Sequence, residues 1–141
     1  MFVLLVGPKG SGKSHIGRLL EKHLDITFFH VEPLWMAYQA ECAAAGRKPI
    51  ILEGISRVHP HIAEALGRYE HVCVETTGAS REILADLMSL VDRSNILVAH
   101  VSAPLELCLE RIANRDRTDD LRSSSDVDIG SDRWALEVPS P

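Results

Sequence analysis

Residues Gly7-Pro8-Lys9-Gly10-Ser11-Gly12-Lys13-Ser14 satisfy the pattern G-x-x-x-x-G-K-S/T at every fixed position. A loop of this kind wraps backbone N–H groups around a phosphate. It needs residues without a Cβ where the chain turns and approaches most closely, and Gly7, Gly10 and Gly12 meet that need. Lys13 is suited to place an ammonium between β- and γ-phosphate oxygens, and the Ser14 hydroxyl to reach a Mg²⁺ ion. The positive end of a following helix would point at the same anion. With Pro8, Lys9, Ser11 and His15, the expected nucleotide-contacting segment runs from Gly7 to His15.

The flanks have the order such a loop requires. Phe2-Val3-Leu4-Leu5-Val6 is a continuous apolar run, as in a parallel strand buried on both faces. Ile16, Leu19, Leu20 and Leu24 fall at helical spacing, which predicts a helix beginning near Lys13. Gly17 is costly in that helix unless close packing against the sheet requires it. Further strands are predicted at Ile26–Val31, His71–Glu75 and Asn95–Val101. Helices are predicted at Leu34–Ala45 with Gly46 as its C-terminal cap, and at about His59–Tyr69 with Pro60 near the start. Another follows Ser80 as N-cap and carries Ile83, Leu84, Leu87 and Leu90 on one face; a last one starts at Pro104. Ile50-Ile51-Leu52 is too short to assign.

Alternating strands and helices imply an α/β fold of three layers, α/β/α, around a mostly parallel sheet of about five strands. The fifth would be Trp134–Val138, near the end of the chain. Between the last clear helix and that strand, Thr118–Asp132 is polar and lacks helical periodicity, so a flexible lid or tail is expected at about 117–132. Ligands of such sheets sit beyond the carboxyl ends of the strands. Ser14, Glu32, Glu75 and Thr76-Thr77-Gly78 all belong to that edge.

Composition narrows the function classes. A chain of 141 residues is long enough for one domain with a working core, and 1–141 is read as a single domain. No apolar run approaches the roughly 20 residues of a membrane span, and the immediate core strand after Met1 argues against a signal peptide. Cys42, Cys73 and Cys108 lie far apart in an odd number, which fits reduced thiols and a cytoplasmic protein. The net charge of −5 argues against a broad nucleic-acid-binding surface, though not against a local basic pocket. The seven histidines form no zinc pattern.

Four residues outside the loop are candidates for chemistry. Glu75 closes an apolar strand, where a carboxylate helps to hold Mg²⁺; the other reading is a solvated strand end. Glu32 either accepts a proton from a substrate hydroxyl, binds substrate, or caps the helix at Pro33. Arg111 and Arg115, four apart on one helix face, either clamp polyphosphate oxygens or form a solvated basic face.

The phosphate loop, the strand ending in Glu75, and Cys108-x-x-Arg111-x-x-x-Arg115-Asp116 together resemble the small P-loop kinases, a group that includes adenylate, shikimate and gluconate kinases. Val72–Gly78 and Val101–Glu106 are especially similar to the uncharacterised kinase-like ATPases of that group. The resemblance covers roughly residues 1–117. It implies ATP, or another nucleoside triphosphate, with Mg²⁺, and transfer of the γ-phosphoryl group to a small metabolite or nucleotide as acceptor. It also implies that Arg111 and Arg115 flank a lid over the nucleotide and that Ser80-Arg81 lie beside the acceptor pocket. Arg57 and Arg81 are the candidate acceptor-binding cations. The Asp-x-Asp that follows the second strand in the shikimate enzymes has no counterpart, and Glu32 is the nearest acid. A nucleotide-binding ATPase or switch domain that acts on a partner protein is the alternative class.

Overall fold

The computed structural model describes residues 1–118 of the chain. Strand β1, Phe2–Val6, is buried at all five positions. Its alternate side chains feed two cores, as the period of two in a strand requires. Phe2, Leu4 and Val6 pack with Val58, Ile62 and Ala65 on one face. Val3 and Leu5 pack with Phe28, Cys73 and Val101 on the other, backed by Ile16 and Leu20. A helix layer thus covers each face of the sheet: α1 (Lys13–Leu24) on one, α3 (Ile51–Arg68) and α4 (Arg81–Met88) on the other.

The other strands are β2 (Thr27–Phe28), β3 (Val72–Thr76) and β4 (Ile96–His100), and the remaining helices are α2 (Glu32–Ala44) and α5 (Leu105–Thr118). The sheet order is β2-β3-β1-β4, with every pairing parallel. Val6 stands level with Thr76 on one side and His100 on the other. Three strands therefore end at the same height, and the segments that follow them meet at one edge. Among the described residues no helix is long and apolar enough to cross a membrane. Cys42, Cys73 and Cys108 are buried free thiols, and burial next to the Glu75 carboxylate pushes the Cys73 thiol up to about 12.

Several elements differ from the reading of the sequence. The described residues hold four strands against about five expected; Trp134–Val138 and the lid segment past Thr118 lie outside them. The second strand is two residues, not six. Its backbone hydrogen bonds end at Phe29 N–H to Cys73 O, 2.9 Å, because Val31 turns to accept from Leu34 and Trp35 as the cap of α2. Pro33 then falls in the first turn of α2, where a missing N–H costs nothing. Helix α3 begins eight residues before His59 and runs through Pro60. A buried stripe of Gly54, Val58, Ile62 and Ala65 holds it together across the hydrogen bond that Pro60 forfeits.

Other local signals act as expected. Gly46, at φ 68°, ends α2 with paired bonds to Ala43 O (3.1 Å) and from Arg47 N–H to Cys42 O (3.0 Å), a Schellman motif. The Ser80 hydroxyl accepts from Ile83 N–H at 3.3 Å. Helices α2 and α3 are clasped by polar groups. Tyr38 Oη accepts from Ile50 N–H at 2.9 Å and lies 3.0 Å from Glu53 Oε2; Arg47 donates both prongs to the same carboxylate at 2.9 Å. Arg57 pairs with Glu41, lies 3.7 Å from Glu53 and covers the Tyr38 ring. The Arg47 fork, with help from Tyr38, holds the Glu53 carboxyl below its ordinary range.

Gly17 explains itself by contact. A Cβ there would stand 2.6 Å from the ring of Phe28, which is 3% exposed and cannot yield. Around Gly67, also helical, nothing stands within 4 Å of the place a Cβ would take. The two should therefore respond oppositely to alanine. Gly67→Ala should raise stability by about 0.5–1 kcal/mol through helix propensity. Gly17→Ala should lower it by about 1–3 kcal/mol through overpacking, despite the same propensity gain. Urea unfolding of the two variants checks both signs.

Candidate active site

A cavity of about 880 Å³ opens beyond the carboxyl ends of β1 and β3. The loop between β1 and α1 forms its floor. Gly10 and Gly12 take φ of 80° and 100°, the left-handed region that L side chains rarely adopt. A Cβ on Gly10 would also stand 2.6 Å from the carbonyl oxygen of Cys108, so α5 backs directly onto the loop. Gly7 donates its N–H to Thr76 O at 3.2 Å and has no room for a Cβ against the Val101 carbonyl. The loop is thus held between the ends of β3 and β4.

Within that frame the polar groups converge. Gly12, the N-cap of α1, provides no side-chain cap, which leaves the first-turn amides for other partners. Lys13 is 8% exposed, and its Nζ donates to Pro8 O at 2.8 Å. Burial lowers the Lys13 pKa; the Glu75 carboxylate partly offsets this, and Arg115 pushes it down further. The Ser14 hydroxyl lies 2.9 Å from both oxygens of Glu75. Ser11 carries a buried hydroxyl with no partner among the described residues. Arg111 reaches back from α5 to donate to Gly10 O at 2.9 Å.

The geometry gathers most of the residues singled out in the sequence. Lys9 through His15 line the cavity, with His15 exposed at its rim. Glu32, Glu75, Arg111 and Arg115 line it too. Gly7 and Pro8 do not; they shape the loop from behind through the bonds just described. Arg57 is engaged in the α2–α3 clasp and Arg81 begins α4, and neither lines the cavity. Sequence reasoning overlooked Arg18, Trp35 and Asn114, all of which do. Each follows a recognised residue by one helical turn: Arg18 four after Ser14, Trp35 three after Glu32, Asn114 three after Arg111. That spacing was the available signal.

The donor set fits the ligands that the loop pattern suggests. A hydroxyl and a carboxylate side by side are the hard oxygen ligands that Mg²⁺ takes, and Ser14 with Glu75 could hold it. A buried ammonium, an uncapped helix end and two arginines could hold a polyphosphate.

This is a phosphate-loop α/β fold with its cavity at the switch between β3 and β1. A family model described as an AAA domain matches residues 2–130, and the chain belongs to that family. In fold it is similar to a gluconokinase from Sinorhizobium meliloti 1021, with a TM-score of 0.60 and 18% identity, covering 80% of this chain and 63% of that one. It is also similar to a shikimate kinase from Acinetobacter baumannii solved in complex with shikimate, with a TM-score of 0.58 and 22% identity, covering 86% of this chain and 65% of that one. The chain thus spans less than two thirds of the length of either. No curated protein matches it.

The buried Lys13 makes anion binding depend on pH in a defined direction. An anion beside the ammonium draws its lowered pKa back toward 10.5, so binding takes up a proton once pH passes the lowered value. Affinity for inorganic triphosphate should fall as pH rises through that value, below the ordinary lysine range. Lys13→Gln should bind more weakly and lose this proton uptake. Calorimetric titrations in two buffers of different ionisation enthalpy count the protons.

Proposed function

We propose that the chain binds ATP with Mg²⁺ and transfers the γ-phosphoryl group to a hydroxyl of a small metabolite or nucleotide. The observation that carries this reading is the meeting of Lys13, Ser14 and Glu75 at the glycine loop, opposite Arg111 and Arg115. Phosphoryl transfer asks a protein mainly for positioning and for charge stabilisation. The loop amides and the first turn of α1 would hold the phosphate chain. Lys13 would leave its Pro8 carbonyl for phosphate oxygens, an exchange of a neutral acceptor for an anionic one. Mg²⁺, held by Ser14 and Glu75, would supply a further positive charge against those oxygens. Arg115 would face the charge that moves during transfer, and Glu32 would accept the proton of the attacking hydroxyl.

A second reading, an ATPase or switch domain acting on a partner protein, draws on a different contact. Arg111 joins α5 to the loop through Gly10 O, so a change in the loop on nucleotide binding or hydrolysis would be felt in α5. Acceptor-dependent ATP consumption separates the two readings, because a switch turns over slowly with no metabolite added.

Three variants test the assignment of roles. Lys13→Ala should keep the melting temperature of the parent, weaken triphosphate binding, and lower kcat/KM by about 10²–10³. Glu75→Gln should hold nucleotide affinity within a small factor and shift the Mg²⁺ titration of activity to higher concentration. Arg115→Ala should lower kcat by more than it raises KM, the mark of a contact made chiefly in the transition state. Steady-state kinetics at several Mg²⁺ concentrations read all three.

A further inference from the structure

The cavity has two unlike ends. Sheet order puts α2, which follows β2, on the β3 side of the loop, and α5, which follows β4, on the opposite side. Lys13 and the Ser14–Glu75 pair, where terminal phosphates and metal would gather, stand between them. With the nucleotide at the α5 end, where Arg111 and Arg115 meet the loop, the α2 end is left to the acceptor, and this inference rests on the phosphotransfer reading above.

That end has a specific chemistry. Trp35, partly buried, lines the cavity, as does Val31 one turn before it. Glu32 sits one helical turn before Trp35, and the Thr76 and Thr77 hydroxyls close the wall from β3. Those hydroxyls already accept backbone N–H bonds from Gly78 and Ala79, both at 3.3 Å, which leaves their protons to donate. Arg18 of α1 and Glu32 of α2, charges of opposite sign, both line the cavity. Arg57, the nearby cation of α3, is already engaged with Glu41 and Glu53.

The indole is fixed by a device that sequence alone does not reveal. Gly54 of α3 has no room for a side chain: a Cβ there would strike the six-membered ring of Trp35, with Cε3 at 2.8 Å and Tyr38 Cδ1 at 3.0 Å. Tyr38 packs beside the indole, tilted, at a ring separation of 5.6 Å, and the α2–α3 clasp holds Tyr38 itself. Gly54 does not line the cavity. It is the notch in which the indole sits.

We propose that Trp35, seated by Gly54, is the platform for a planar ring of the acceptor, and that the acceptor is an uncharged hydroxylated ring compound of the nucleoside type. A flat π-face stacks on an indole without base-specific contacts. Glu32 and the two threonines would orient the hydroxyl that is phosphorylated. An acceptor carboxylate in the same place would meet Glu32 as well as Arg18, and would gain nothing from the indole.

The chain has two tryptophans, so Trp134→Phe leaves Trp35 as its only indole fluorophore. In that background, saturated with Mg²⁺ and a non-hydrolysable ATP analogue, adenosine, cytidine and thymidine are titrated against gluconate and shikimate. At least one nucleoside should quench Trp35 saturably, and the two acids should not. In turnover assays Trp35→Leu should raise KM for that nucleoside roughly tenfold with KM for ATP unchanged, and Trp35→Phe should recover most of the loss. Gly54→Ala should reproduce the KM effect from outside the cavity; if it fails to fold, the two Trp35 variants still decide the matter. The proposal is overturned if no nucleoside quenches saturably, or if the ATP analogue alone gives the full quench, which would make the indole a platform for the nucleotide base. It is also overturned if gluconate or shikimate is phosphorylated and Trp35→Leu does not alter that reaction, an outcome that leaves the phosphotransfer reading standing. A saturable quench without phosphorylated product supports the ring platform and sinks phosphotransfer instead.

Discussion

A buried ammonium is costly unless carbonyls and anions answer its charge. Lys13 has one of each, the Pro8 carbonyl and the Glu75 carboxylate, and still its protonated form is disfavoured. That imbalance ties the rest of the architecture together. The loop that carries Lys13 is held against the ends of the strands. Gly7 is fastened to Thr76, and Gly10 lies against the backbone of Cys108. Those contacts exist because β1 is buried between two parallel neighbours that end at the same height. The two cores, the parallel register and the glycines thus serve one local result: a cation and an uncapped helix end that want an anion.

Much of this was legible in the sequence, for reasons that can be named. The loop and β1 have strong local signals, a fixed pattern and an unbroken apolar run, and both act over fewer than fifteen residues. Cap signals such as Ser80 and Gly46 are equally local. The misreadings arise where a local signal loses to packing. Pro60 reads as a helix start, but the buried stripe from Gly54 to Ala65 carries α3 straight through it. Ile26–Val31 reads as a long strand, but only two residues pair before the chain turns into α2. Trp35 had only its spacing from Glu32 as a signal, because the seat of its ring is a glycine nineteen positions away.

Helix α2, whose bounds the sequence predicts to within two residues, and α3, of which it predicts only the C-terminal half, bear on the chemistry that the loop leaves open. A phosphate loop defines a donor and says little about an acceptor. The end of the cavity proposed for an acceptor is built from a tertiary arrangement: a polar clasp around Tyr38 and Glu53 sets the helix pair, Gly54 admits the indole, and Glu32 falls one turn away. Arg57, a natural candidate for binding an acidic acceptor, is consumed in the clasp. The neighbours share the fold with this chain at 18% and 22% identity.

The central claim is that the Gly10–Ser14 backbone and the first turn of α1 form a cradle for the phosphates of a nucleotide. The most direct measurement is a backbone-amide NMR titration with Mg²⁺ and a non-hydrolysable ATP analogue. The largest shifts should fall on Gly10, Gly12, Lys13 and Ser14, moved downfield as their N–H groups take charged acceptors. Unmoved amides at these four positions, with the main shifts elsewhere on the molecule or no saturable change at all, would contradict it.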